Sequence, residues 1–125
     1  MDKRIKITIE AALEKKATNI VVIDLKGLSS LTDCFVIMSS NSDRHTQAIA
    51  EEILLKMEKA GHQALGEEGI TEGRWAVLDF GDFMVHIFYE PLRQYYDLEG
   101  LWADAPRIEW KEKEGIEIPS DSKET

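Results

Sequence analysis

Apolar positions follow two different periods along the chain, and each period predicts one kind of secondary structure. Over residues 3–17 and 43–60 they recur every three or four positions, which is the spacing of one face of a helix. Short β-branched and aromatic runs over 20–25 and 33–39 indicate buried strands, and a further short strand is predicted over 62–65. This order of elements predicts a single α/β domain with a mixed β-sheet flanked by helices.

The clearest local signal is a β-hairpin in the second half of the chain. Two apolar runs, 74–80 and 83–89, flank the dipeptide Gly81-Asp82, which suits a two-residue turn between antiparallel strands. The preceding residues, 66–73, consist mainly of Gly and Glu, and we predict a flexible acidic loop there.

Beyond the hairpin, Pro91 suits the first turn of a helix that we predict over 91–100. From residue 106 onwards the chain is dominated by Lys and Glu, which predicts a charged, flexible tail over 106–125 after a domain over 1–105. Three apolar residues leave room for a docked segment in this tail: Trp110, Ile116 and Ile118.

The charge of the chain is negative and unevenly placed. Among 125 residues, 24 are acidic and 15 are Lys or Arg, which gives a formal net charge of −9. Residues 67–104 hold nine acidic residues against two arginines, a local net charge of −7. Because phosphate backbones repel such a region, we expect no direct nucleic-acid binding and favour a basic protein partner. An acidic surface that only keeps the protein soluble explains the charge equally well.

Several features of the sequence predict a cytosolic protein. No apolar run approaches the roughly 20 residues that a membrane-spanning helix needs. The first residues, Met-Asp-Lys-Arg-Ile-Lys, lack the apolar core of a secretory signal. The single cysteine, Cys34, cannot form an internal disulfide, and its apolar neighbours indicate a small buried residue.

The hairpin carries aromatic and acidic side chains of the kind that bind protein partners. Trp75 and Phe80 are candidate apolar anchors, since large aromatics dominate interface energetics. Strict alternation places them on opposite faces of the hairpin, so an ordinary core role stays open for both. Asp79 and Asp82 flank the turn and suit pairing with Lys or Arg of a partner, although stabilisation of the turn explains them as well.

Catalytic and metal-binding residues form no recognisable pattern. We expect His86, in the middle of a strand, to be a hydrogen-bonded structural residue, and Cys34, His45 and His86 lack the spacing of metal ligands. A metal-dependent nucleotidyltransferase needs two carboxylates one residue apart, whereas Asp79 and Asp82 lie three apart across a turn. We therefore predict no catalytic residues, no metal and no cofactor.

Three stretches of the chain together resemble one protein family. They are 29–45, 73–88 and 95–105, and they include Thr-Asp-Cys-Phe-Val-Ile-Met-Ser-Ser-Asn-Ser, Gly-Arg-Trp-Ala-Val-Leu-Asp-Phe-Gly-Asp and Tyr-Tyr-Asp-Leu-Glu-Gly-Leu-Trp. Each is a weak signature alone, but their order and spacing are those of the Iojap-like, or ribosomal silencing factor, family. The resemblance covers residues 4–105.

This resemblance implies a nucleotidyltransferase-like core without demonstrated catalysis, often a homodimer when free. It implies binding to the large ribosomal subunit through its fourteenth protein, at the face that meets the small subunit. An occupant there blocks subunit joining sterically and damps translation when nutrients are scarce. We expect seven residues to bind the partner: Trp75, Leu78, Asp79, Phe80, Asp82, Tyr96 and Leu98. The alternative function is a metal-dependent nucleotidyltransferase-like enzyme.

Overall fold

A mixed sheet of seven strands forms the centre of the structure, a computed structural model that describes residues 2–111 and 116–119. In chain order the strands are β1 (Thr18–Asp24), β2 (Cys34–Ser40), β3 (Gly66–Glu68), β4 (Trp75–Asp79), β5 (Phe83–Tyr89), β6 (Arg107–Lys111) and β7 (Ile116–Pro119). Across the sheet the order is β3-β4-β5-β2-β1-β6-β7. β2 and β5 are parallel, and the other neighbouring strands are antiparallel. The predicted mixed sheet is confirmed.

Two long helices, α1 (Lys3–Glu14) and α2 (Asp43–Lys59), form where the helical spacing predicts them. Each begins at a polar side chain that accepts a hydrogen bond from an orphan backbone amide of the first turn. The Asp2 carboxylate accepts from the amide of Arg4, and the Ser42 hydroxyl accepts from the amide of His45. Both helices end slightly earlier than predicted.

The predicted helix over 91–100 is divided into two short helices, α3 (Glu90–Tyr96) and α4 (Leu98–Leu101). Asp97 separates them because its backbone adopts a left-handed conformation, with φ of 48°. The Asp97 carboxylate then accepts a hydrogen bond from the amide of Gly100, which starts α4. This sharp corner between α3 and α4 aims the neighbouring side chains differently from a continuous helix.

The two faces of the sheet are covered to different extents. α1 and α2 pack on one face, and their apolar residues join those of β2, β4 and β5 in the main core. On the other face a smaller cluster, which includes Val21, Ile23, Phe35 and Phe88, is joined by Leu98, Trp102 and Ala105. The smaller cluster does not cover the β4 residues that point to this face, and they remain half-exposed.

The predicted hairpin is confirmed as β4 and β5. Trp75 pairs with Phe88 at the open end of the hairpin, and Asp79 pairs with Met84 near the turn. The amide of Phe80 donates to the carbonyl of Phe83 and closes the turn over Gly81 and Asp82. Gly81 has φ of 89°, a conformation that glycine adopts without steric cost.

The expected strand over 62–65 is wrong, and the expected loop over 66–73 is wrong only for residues 66–68, since residues 69–73 belong to no helix or strand. The strand is instead β3, Gly66–Glu68, which pairs with β4 at the edge of the sheet. All three of its residues are exposed, so no alternation of apolar and polar residues marks this strand in the sequence. Backbone hydrogen bonds to β4 alone define it.

Within the predicted flexible tail, residues 107–111 and 116–119 form β6 and β7. These strands fit the docked segment for which Trp110, Ile116 and Ile118 left room, and not a flexible chain. β1 offers an unpaired edge on the side away from β2, and β6 pairs with it, with Ile108 opposite Val22. The rest of the predicted tail, 112–115 and 120–125, lies outside the described residues. Among the described helices, none is long and apolar enough to cross a membrane.

Candidate functional site

The exposed side of β4 and its neighbours forms the candidate site. Along β4, Ala76 and Leu78 are buried against the helices, while the alternate residues point to the other face and are half-buried. Met84 of β5 is half-buried and packs against the smaller cluster on that face. We use the term open face for five residues on this side of the sheet: Trp75, Val77, Asp79, Met84 and Tyr96.

Trp75 is held in place by three different contacts. Its indole stacks on the ring of Phe88 with the ring centroids 4.7 Å apart, and the ring of Tyr96 lies 5.0 Å away. Its Nε1–H donates a hydrogen bond to Nδ1 of His86 over 3.1 Å. Because part of the indole stays exposed, Trp75 presents a large aromatic surface in a fixed orientation, as interface anchors do.

His86 is opposite Val77 on the same side of the sheet as the open face and is 5% exposed. Its Nδ1 accepts from Trp75, so the ring proton of the neutral imidazole is on Nε2. Burial lowers the pKa of His86 to about 4, which keeps the ring neutral at physiological pH. The ring of Phe35 packs edge-on against the imidazole at 4.4 Å. The hydrogen bond that we predicted for His86 is present.

The corner between α3 and α4 borders the open face. Tyr95 and Tyr96 are 78% and 50% exposed, and their rings contact each other edge to face at 5.1 Å. Leu98 is half-buried and packs against the smaller apolar cluster. The structure therefore brings the rings of Trp75 and Tyr96 together, and Leu98 packs against the same apolar cluster as Trp75.

Arg93 fixes this corner to the sheet, and the sequence analysis did not identify it. Its guanidinium is buried and donates to both carboxylate oxygens of Glu99, at 2.9 and 3.1 Å. Nη1 also donates to the carbonyl of Asn19 and the hydroxyl of Ser39, both at 2.7 Å. These bonds to Arg93 lower the pKa of Glu99. One signal was available, because Arg93 is one of only two cations within the acidic stretch 67–104.

The two aspartates beside the hairpin turn bind different partners. Oδ1 of Asp79 accepts from the amide of Gly81 at 2.8 Å, the turn-stabilising role left open by the sequence. Oδ2 of Asp82 pairs with Arg4 of α1 at 2.9 Å. The two carboxylates therefore do not form the converging pair that the enzyme alternative needs.

Two of the predicted partner-binding residues lie in the main core. Leu78 has no exposed surface, and Phe80 is 6% exposed and stacks on Phe83 at 5.1 Å. The expectation that they contribute to a binding surface is not met in this conformation. The physical reason is the two-residue period of a strand, which places both on the helix side while Trp75 and Asp79 face outwards.

No cluster of three or more potential metal-ligating side chains occurs in the part of the chain that the structure describes. Cys34 is half-buried and not buried as predicted, and its partial burial raises the pKa of the thiol to about 12, so the thiol stays protonated. The carboxylates of Glu68 and Asp79 form an acidic rim beside the open face. A cleft of about 320 Å³ beside β3 is lined by Glu68, Asp79, Val77 and Met84, among others.

The chain is similar to known proteins in both sequence and fold. The profile of a family described as Ribosomal silencing factor during starvation matches residues 1–125. A Bacillus subtilis protein named Ribosomal silencing factor RsfS is 43% identical over 102 residues, 82% of this chain and 86% of that relative. The chloroplastic protein Iojap of Zea mays is 36% identical over 80% of this chain and 43% of its own length. A crystal structure from Chromobacterium violaceum has a TM-score of 0.79 at 33% identity and covers 82% of this chain and 88% of that one.

Proposed function

The chain belongs to the ribosomal silencing factor family, and we propose that its open face binds a basic protein of the large ribosomal subunit. Silencing of ribosomes is the role of the family. The specific proposal is that the partner is the fourteenth protein of the large subunit, at the surface where the small subunit joins. A protein bound there represses translation by occupying space, without a chemical step, and it acts in the cytosol when nutrients are scarce.

The observation that supports this proposal most directly is the state of Trp75. A tryptophan that is fixed on three sides and still partly exposed costs little side-chain entropy when a partner covers it. Tyr96 adds an amphipathic ring whose hydroxyl can hydrogen-bond across an interface. Together with Val77 and Met84, these residues offer an apolar centre for a protein interface.

The charge around the apolar centre favours a basic partner. Glu68 and Asp79 line the cleft beside the open face, and the surrounding stretch 67–104 carries a net charge of −7. Such a rim accelerates association with a positively charged surface and opposes contact with phosphate groups. The partner is therefore expected to be a protein surface and not the ribosomal RNA.

Replacement of Trp75 by Ala tests the proposed surface. We expect the wild-type protein to co-sediment with purified large subunits and to reduce the formation of joined ribosomes when small subunits are added. Trp75→Ala is expected to weaken binding by about 30-fold or more, because an aromatic hot spot contributes at least about 2 kcal/mol. The fold of the variant is checked by circular dichroism.

The matched control is Leu55→Ala, which shortens an exposed apolar side chain on α2, the helix layer away from the open face. It is expected to bind and to inhibit joining like the wild type. The proposed surface is wrong if a folded Trp75→Ala binds as tightly as the wild type. If the wild type itself does not bind large subunits, the proposed function fails.

A further inference from the structure

The hydrogen bond between Trp75 and His86 joins the open face to a buried residue on the same side of the sheet. Trp75 lies on β4 and His86 on β5, where His86 is the direct neighbour of Val77. The bond from Nε1–H to Nδ1 is 3.1 Å long, and the two ring centroids are 6.0 Å apart. His86 is also in contact with Phe35 and Phe88, so it is surrounded largely by apolar rings.

Stability of the fold does not explain a histidine at this position. Its Nε2 has no hydrogen-bond partner among the described residues, and a buried donor without a partner is unfavourable. An aromatic or aliphatic residue packs between Phe35 and Phe88 without this penalty, and such residues favour strands. What the imidazole supplies, and an apolar residue does not, is an acceptor for the indole of Trp75.

The acceptor is available under ordinary conditions. Nδ1 accepts a hydrogen bond only while it carries no proton. Burial lowers the pKa of His86 to about 4, so Nδ1 stays unprotonated well below neutral pH. The stacking on Phe88 and the contact with Tyr96 restrain the plane of the indole, and the bond to Nδ1 fixes which edge points into the protein.

We propose that His86 is a positioning residue for partner binding, which acts by holding the indole of Trp75 in the orientation that the partner meets. This inference rests on the proposed function, since it assumes that Trp75 contacts the partner. Without the acceptor the indole samples other orientations, and binding must then select one of them. The expected loss is in affinity, about 3- to 10-fold, the range of one neutral hydrogen bond.

A pair of variants of nearly equal size separates positioning from stability. His86→Asn keeps an acceptor close to the position of Nδ1, whereas His86→Leu removes it. In a strand surrounded by apolar rings Leu is the more favourable residue, so the Leu variant is expected to be the more stable of the two. For affinity towards large subunits we expect the opposite order, with Asn closer to the wild type. Equal affinities, or affinities that follow stability, would overturn the proposal.

The same two substitutions in a Trp75→Phe background complete the test. Phe keeps a ring at position 75 but has no N–H to donate, so the Asn and Leu variants are expected to bind equally there. If the difference between Asn and Leu persists without the indole, His86 acts by another route and the proposal is wrong. This double-mutant cycle measures the coupling between the two positions directly.

A readout that needs no ribosome distinguishes this proposal from the proposed function. The indole N–H signal of Trp75 in a ¹H–¹⁵N spectrum is identified by its loss in Trp75→Phe. We expect it to exchange slowly with water in the wild type and in His86→Asn, and quickly in His86→Leu. Binding that stays wild-type in His86→Leu overturns only the positioning role. A protected indole in a protein that does not bind large subunits means that the proposed function has failed, and the positioning role with it.

Discussion

Trp75 suits the proposed binding role because of the residues packed around it. Phe88 lies under its ring, Tyr96 beside it, and His86 accepts from its N–H. The same neighbours explain why two residues of similar character, Leu78 and Phe80, are not available for a partner. They lie one strand position out of phase with Trp75 and fill the main core. At the scale of the residue, orientation on the strand decides between a core residue and a surface anchor.

His86 is also expected to give the stability of the protein a characteristic pH dependence. Its pKa falls from 6.5 to about 4 on folding, so the unfolded chain binds more protons between these values. The contribution of His86 to the free energy of unfolding is therefore at its maximum above about pH 6.5 and decreases as the pH falls towards 4. The expected total loss is about 3 kcal/mol, and urea denaturation at a series of pH values tests it.

The control for this pH dependence is His86→Leu, which is expected to lack most of the decrease between pH 6.5 and 4. Asp2 and Glu99, whose pKa values are lowered by hydrogen bonds to Arg4 and Arg93, remain in the variant and reduce stability as the pH falls below their ordinary pKa values of 3.8 and 4.5. Identical profiles for the variant and the wild type would contradict the assignment to His86.

At the scale of elements, the division of one predicted helix into α3 and α4 shapes the border of the open face. The left-handed backbone of Asp97 makes the corner, and the buried guanidinium of Arg93 holds it on β1 and β2. Glu99 of α4 forms an ion pair with Arg93 of α3 across the corner. Because Tyr96 lies between these anchors in sequence, the ion pair between Arg93 and Glu99 also fixes the tyrosine beside Trp75.

Glu99→Gln tests the importance of this ion pair. Removal of the carboxylate leaves the buried guanidinium of Arg93 without its charge partner, and we expect a loss of about 3 kcal/mol in the free energy of unfolding. Hydrogen exchange is expected to accelerate in α3 and α4 and to change little in α1 and α2.

The matched substitution Glu14→Gln removes an exposed carboxylate of α1 from its pair with Lys56. Little change in stability is expected there, because exposed pairs contribute little. Equal effects of the two substitutions would show that burial of Arg93 does not make its pair special.

At the scale of the whole molecule, the two faces of the sheet are covered to different extents. α1 and α2 close one face into the main core, while the other face is closed only where the α3–α4 corner and the residues after it reach. Residues 107–111 contribute to this architecture as β6, because they occupy the free edge of β1. The segment after residue 105 is therefore part of the sheet where the structure describes it.

Two truncations test the contribution of β6. Deletion of 106–125 uncovers the edge of β1 and is expected to lower the melting temperature by several degrees and to promote aggregation through the exposed edge. Deletion of 112–125 keeps β6 and is expected to have the smaller effect. Thermal unfolding with light scattering measures both. Wild-type behaviour of the longer deletion would mean that β6 contributes no stability.

The sequence predicted the elements whose signals are local. α1 and α2 follow from helical spacing and N-terminal capping residues such as Ser42, and the hairpin follows from Gly81-Asp82 between two apolar runs. β3 and β6 had no such signal. β3 is an exposed edge strand of three residues, and β6 forms because β1, more than 80 positions earlier, offers a free edge.

For the candidate site, the sequence by itself determined that Trp75 and Asp79 share one face of β4 and that Leu78 belongs to the other, because strand residues alternate. Only the tertiary structure decided which face is covered by helices and which is left open, since periodicity contains no information about the element that packs on a face. The contacts of Trp75 with His86 and Tyr96, and of Arg93 with Asn19, join residues 11, 21 and 74 positions apart. Such contacts depend on the folded arrangement of strands and helices, and no local pattern encodes them.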